Sequence, residues 1–94
     1  MIAEITIRKY ILTHKGFELI GVRKFKLFVS SASDGVKLAE SLHDMIVRTY
    51  ESCGYDIVTE GETTLKNNKW EKYTILERGI NKIRVYTVLV LREV

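Results

Sequence analysis

The sequence predicts an α+β domain, a single amphipathic helix packed on a five-stranded, mostly antiparallel sheet in the order ββαβββ. Three observations carry that prediction. Apolar residues recur at every second position before residue 30 and after residue 54, and at every third or fourth position between them. Clusters of turn-forming residues separate the period-two segments. The chain has 94 residues, room for one hydrophobic core and no second, so residues 1–94 are read as one α+β domain.

In the first segment Ala3, Ile5, Ile7, Lys9 and Ile11 alternate with Ile2, Glu4, Thr6, Arg8, Tyr10 and Leu12. Alternation with β-branched enrichment is the pattern of a strand. The break "THKG" at 13–16 is short, and a second β-rich run, "FELIGVRKFKLFVS", follows at once, so the two form a hairpin. Gly21 interrupts the second run. Its apolar parity slips from Ile20 and Val22 to Phe25, Leu27 and Val29, which predicts a bulge near Gly21–Lys24.

The period then changes. Val36, Ala39, Leu42, Met45, Ile46, Thr49 and Cys53 form one stripe of a helix. Ser31 or Ser33 is placed to cap its start, Asp34 complements the helix dipole, and Gly54 stands where a left-handed C-terminal cap belongs. Three further strands follow in 55–66, 69–77 and 81–94, joined by Asn67-Asn68 and by Arg78-Gly79-Ile80. In "LKNNKWEKYT" the two asparagines tolerate the positive φ of a tight turn, so this basic stretch is first a hairpin tip. Trp70, beside that tip, is expected to pack on a neighbouring strand or on a partner chain.

Composition narrows the function classes. No apolar run reaches the ~18 to 20 residues of a membrane span, and "MIAEITIRKY" alternates charge with isoleucine instead of presenting a signal-peptide block. The chain therefore reads as cytosolic, unprocessed and without membrane contact. The single cysteine, Cys53, cannot form an internal disulfide, and no Cys/His spacing matches a zinc site, so neither metal nor cofactor is expected. The 15 basic residues against 12 acidic ones give a net charge of +3, which admits an anionic partner without building a dedicated basic arm.

Signals for catalysis are weak. His43 and Asp44 form an "HD" pair, but metal-dependent phosphohydrolases need further ligands from other helices, and adjacent helical residues diverge by about 100°. His43 is expected to be exposed or structural, His14 a solvated turn residue, and Cys53 a packing thiol on the helix stripe. The glycines are scattered singly, so no phosphate-cradling loop exists. The expected protein is not an enzyme.

The last strand poses the more useful problem. Ile83, Val85, Thr87, Leu89 and Leu91 occupy one parity, and Tyr86, Val88 and Val90 make the other apolar too. One helix covers one face, so the second face needs another cover. It would gather Arg8 and Tyr10, Lys24, Lys26 and Phe28, and Lys82, Arg84 and Tyr86. On the first reading this face joins a second copy or a protein partner through Tyr86, Val88, Val90, Tyr10, Phe28 and Trp70. On the second it is a weak, sequence-tolerant nucleic-acid platform in which Arg8, Lys24, Lys26, Lys66, Lys69, Lys72, Lys82 and Arg84 meet phosphates. The element order differs from that of the common RNA-recognition module, and no "GXXG" loop is present. The expected protein is a homodimeric, non-catalytic binding domain with a protein partner, nucleic acid binding being the alternative and a small enzyme whose site forms only in space the third.

Segments such as "IAEITIRKYIL" and "INKIRVYTVLVL", in a proline-free chain with one cysteine, give the sequence its texture. In length and texture it resembles the small accessory proteins of viruses of thermophilic crenarchaea. Some of those are homodimeric α+β domains, and one set acts as anti-CRISPR inhibitors that bind a host effector subunit. The resemblance implies a protein that works by binding a macromolecule, in the host cytoplasm if the chain is viral. It transfers no functional residue.

Overall fold

A computed structural model describes residues Met1–Val94. The alternation of the first segment becomes β1 (Ile2–Thr13), which turns through His14 and Lys15 into β2 (Gly16–Phe28). The helix α1 (Ala32–Ser52) follows, and then β3 (Asp56–Glu62), β4 (Lys69–Arg78) and β5 (Asn81–Arg92). The strands form one sheet in the order β2-β1-β5-β4-β3, with every neighbouring pair antiparallel. The predicted α+β architecture is thus the observed one. The first and last strands meet at its centre, and β2 and β3 are its edges.

The turns follow their residue chemistry. Asn67 and Asn68 have φ of 52° and 60°, the left-handed pair that a two-residue hairpin loop needs. Lys66 and Lys69 close the loop by exchanging backbone hydrogen bonds of 3.0 Å in each direction. β3 ends at Glu62 rather than at residue 66, and Thr63 ties the intervening stretch to β4 by accepting the Glu71 N–H on Oγ1 at 3.0 Å. Ser31 is the N-cap of α1, its Oγ accepting the Asp34 N–H at 3.1 Å. At the other end Gly54, with φ of +89°, takes the left-handed position after Cys53.

The bulge stands one step earlier than the sequence predicts. Lys9 pairs with Gly21 and Tyr10 with Leu19, so the extra residue is Ile20. From Gly21 to Phe28 the register is unbroken, which sets Phe25 and Leu27 on the helix side and Lys24, Lys26 and Phe28 on the outer side.

Helix-side residues of the three inner strands build the core: Ala3, Ile5 and Ile7 from β1, Ile83, Val85, Leu89 and Leu91 from β5, and Trp70 and Leu76 from β4. Burying a side chain such as Ile5 or Leu89 contributes about 1.5–3 kcal/mol. Gly35 lets α1 ride low on β5, because an added Cβ would sit 2.9 Å from Leu91 Cδ2. The helix meets the core through Gly35, Ala39, His43 and Val47. The buried stripe is therefore rotated from the apolar pattern, leaving Met45 61% exposed and Cys53 exposed at the helix end rather than packed. The polar residue His43 holds the centre that hydropathy assigns to its neighbours.

His43 is fully buried, and its position is explained by its partners. Nδ1 lies 2.6 Å from Thr87 Oγ1 and Nε2 lies 2.8 Å from Thr74 Oγ1. In the neutral ring one nitrogen donates and the other accepts, and the two hydroxyls adopt the complementary roles. Both threonines are buried as well, so the three groups satisfy one another inside the core. Burial lowers the His43 pKa to about 4, with the Lys72 charge acting in the same sense and Asp44 and Glu62 opposing it.

A depressed folded-state pKa means that the unfolded chain takes up the proton first. The contribution of His43 is complete above the ordinary value near 6.5 and is lost as pH falls toward 4. Denaturant unfolding at stepped pH should show stability falling by about 3 kcal/mol across that window. His43→Leu should abolish most of this slope and lower stability at neutral pH by about 1–3 kcal/mol, because two buried hydroxyls lose their partner.

Candidate interaction surface

The face of the sheet away from α1 is uncovered, and the strand registers fix what it contains. Reading across β2, β1, β5 and β4, one row runs Lys26, Glu4, Val90, Lys69 and the next Lys24, Thr6, Val88, Glu71. The third row, Val22, Arg8, Tyr86 and Tyr73, reaches Gly61 of β3. The fourth is Leu19, Tyr10, Arg84, Ile75 and Thr59; beyond it Phe17 pairs with Leu12, Lys82 with Glu77 and Glu77 with Asp56, while the β1–β5 pairing ends at Ile11 and Ile83. Phe28 stands beyond the first row opposite Ile2, 79% exposed.

Eleven residues expected on this face from the sequence therefore come together on it: Arg8, Tyr10, Lys24, Lys26, Phe28, Lys69, Lys82, Arg84, Tyr86, Val88 and Val90. Trp70 and Lys72 do not. Trp70 is 1% exposed in the helix-side core and donates its Nε1–H to Glu62 Oε2 at 3.1 Å. It packs within its own domain and is no interface residue, because its strand parity is that of Thr74 and Leu76. Lys72 shares that parity and reaches α1, 3.4 Å from Asp44 Oδ1 and 3.8 Å from Glu40 Oε2. Burial alone would lower the Lys72 pKa, but the charge and hydrogen bond of Asp44, with Glu40, carry it above the ordinary lysine value. Lys66 is exposed at the hairpin tip.

Charges on the face divide into two groups. Glu4 holds Arg92 Nε at 3.0 Å and Lys26 at 3.9 Å, Glu71 holds Lys69 at 2.9 Å, and Glu77 holds Lys82 at 3.9 Å. The bond from Lys69, then one from Tyr86, keeps the Glu71 carboxyl below its usual pKa, while burial and that same bond raise the Tyr86 phenol. Arg8, Lys24 and Arg84 have no carboxylate within ion-pair distance.

Arg84 is held instead by aromatic faces. Its guanidinium carbon lies 4.6 Å from the Tyr10 ring centre and 4.7 Å from that of Phe17. Its Nε is buried without a hydrogen-bond partner. Phe17 was not foreseen in this role, since only the bulge at Ile20 turns it to the outer side with Leu19. Tyr73 and Ile75 also escaped notice, although their parity with Glu71 places them there. Tyr73 lies over Gly61, where an added Cβ would meet the ring Cε1 at 2.5 Å.

Elsewhere the surface offers shallow ground. The largest hollow, ≈ 470 Å³, is lined by Thr63, Thr64, Lys66, Asn67, Lys69 and Glu71, without a hydrophobic residue. No three His, Cys, Asp or Glu side chains could together hold a metal ion. His14 is exposed in its turn, and no helix is long and apolar enough to cross a membrane. No family model matches the sequence, and no curated protein or solved structure matches it either.

The caged guanidinium makes a testable statement about what Arg84 is for. Leaving Nε buried and unpaired costs about 1–3 kcal/mol, whereas the two ring contacts return about 0.5–1 kcal/mol each. Arg84→Met, which keeps the packing volume, should leave thermal stability unchanged or raise it. A loss above about 2 kcal/mol would show Arg84 to be a structural brace.

Proposed function

We propose that this chain is a non-catalytic binding domain that pairs with a second copy across the outer face of its sheet and acts by occupying a protein partner. The observation that supports this reading is the uncovered apolar centre of that face. Val88, Val90 and Tyr86 of β5 lie there beside Thr6 of β1 and Tyr73 of β4, and the ion pairs Glu4–Lys26 and Glu71–Lys69 are made within the same face. An apolar centre inside a polar rim is the anatomy of a protein interface. Strand spacing makes the sheet about 24 Å wide and its long strands about 40 Å long, an area comparable to the roughly 800 Å² that each partner contributes to a standard interface. Inhibition of the viral accessory type, which the resemblance implies, would be one form of such occupancy.

A second reading rests on a separate observation. Arg8, Lys24 and Arg84 lack carboxylate partners beside Tyr10, Phe17 and Tyr86, a combination on which single-stranded nucleic acid stacks and neutralises its phosphates. The carboxylates of Glu4, Glu71, Glu77 and Asp56 on the same face weigh against it.

Sedimentation equilibrium should find a dimer, and Val88→Asp should dissociate it by several kcal/mol through a stranded charge while the monomer keeps its fold by circular dichroism. An unchanged dimer mass in that variant would remove Val88 from the interface. Anisotropy of labelled single-stranded oligonucleotides at about 50 and 200 mM salt separates the readings, since phosphate contacts weaken steeply over that range and apolar association does not.

A further inference from the structure

The free edge of β2 differs in kind from that of β3. β3 has 7 residues and a register break between Ile57 and Thr59. β2 has 13 residues, and from Gly21 to Phe28 it pairs with β1 without interruption. In an antiparallel ladder alternate residues of an edge strand turn their N–H and C=O groups outward, so this stretch carries a regular row of unpaired backbone groups. Its side chains are open on both sides of the sheet. Val22 and Phe28 on the outer side are 44% and 79% exposed, and Leu27 on the helix side is 40% exposed, while Phe25 between them packs partly against the core.

Charge selects the occupant. Arg23 lies on the helix side, and Lys24 and Lys26 on the outer side. Arg23 and Lys24 have no ion-pair partner, and Lys26 shares Glu4 with Arg92. A second β2 laid antiparallel on this stretch, faces matched and overlapping most fully, sets Lys24 opposite either Lys24 or Lys26. Like charges directly opposite destabilise a strand pair. The edge is thus biased against its own copy and toward a strand of opposite charge.

We infer that the Gly21–Phe28 edge of β2 accepts an extended acidic segment of a partner protein as a sixth strand. Carboxylates of that segment stand opposite Arg23, Lys24 and Lys26, and its apolar residues opposite Val22, Phe25 and Leu27. Backbone hydrogen bonds supply affinity and the alternate side chains supply selectivity. The inference deepens the proposed protein-binding role, since it rests on a protein partner, and it places that partner away from Val88.

The probe is a peptide of matching length, Val-Val-Glu-Val-Glu-Glu-Val-Thr, titrated into the isotopically labelled full chain and followed by amide shifts and hydrogen exchange. Binding should slow exchange at alternate amides between Gly21 and Phe28. A peptide with Lys in place of Glu, and a Glu peptide N-methylated at alternate residues, should not bind. The double variant Arg23→Glu with Lys24→Glu should bind the Glu peptide about tenfold more weakly, as expected for two surface ion pairs turned repulsive. Absence of binding by the Glu peptide, equal binding of the Lys peptide, or protection mapping to the outer face instead of the β2 edge would overturn the inference. Val88→Asp should bind the peptide like the parent chain, so loss of the dimer and loss of strand addition are read separately.

Discussion

The structure depends on one constraint, that β5 is central and apolar on both parities. Pairing with β1 and β4 satisfies its backbone, and α1 satisfies one face. That arrangement obliges the first and last strands to meet, so the fold closes only when both ends of the chain are in place. Gly35 allows the close approach of α1 to Leu91, and the triad of His43, Thr74 and Thr87 ties the helix to β4 and β5. The other parity of β5 is left to a partner or to water, and the question of function begins there.

Polar groups are treated differently on the two sides. On the helix side His43, Trp70 and Lys72 each have partners at hydrogen-bond or ion-pair distance. On the outer side the Nε of Arg84 is buried with none. The two ring contacts offset part of the cost of that burial, and the guanidinium is held by aromatic faces in place of hydrogen bonds. Two rings fix its orientation, so an anionic group reaching it would meet a side chain that has little rotamer freedom left to lose.

The sequence disclosed the fold because alternation, helical period and turn residues agreed with one another at nearly every element. The outer face was legible for the same reason: strand parity alone assigned Arg8, Tyr10, Arg84, Tyr86, Val88 and Val90 to one side. What escaped lay where parity fails or pairing decides. The bulge at Ile20 turned Phe17 outward, and no local signal placed it against Arg84. His43 reads from the sequence as exposed or structural and is structural, but hydropathy cannot anticipate the two threonines that satisfy it from strands over thirty residues downstream. Of the two expectations for Trp70, packing against a neighbouring strand holds and the partner interface does not, as its parity with Thr74 and Leu76 dictates.

Edge chemistry links these features to binding. Lysine on an edge strand is a common defence against aggregation, and a bulge is another. β2 carries both, yet the bulge lies at Ile20 and leaves the longer, basic part of the strand regular. Defence against the chain's own copy and recognition of an acidic strand are then one electrostatic property seen from two partners, because a charge that repels its like attracts its opposite at the same distance. The apolar residues exposed beside those charges support the second property. A strand shaped for protection alone has no need of Val22, Leu27 and Phe28 in the open, whereas an added strand would cover Leu27 on one side of the sheet and Val22 and Phe28 on the other.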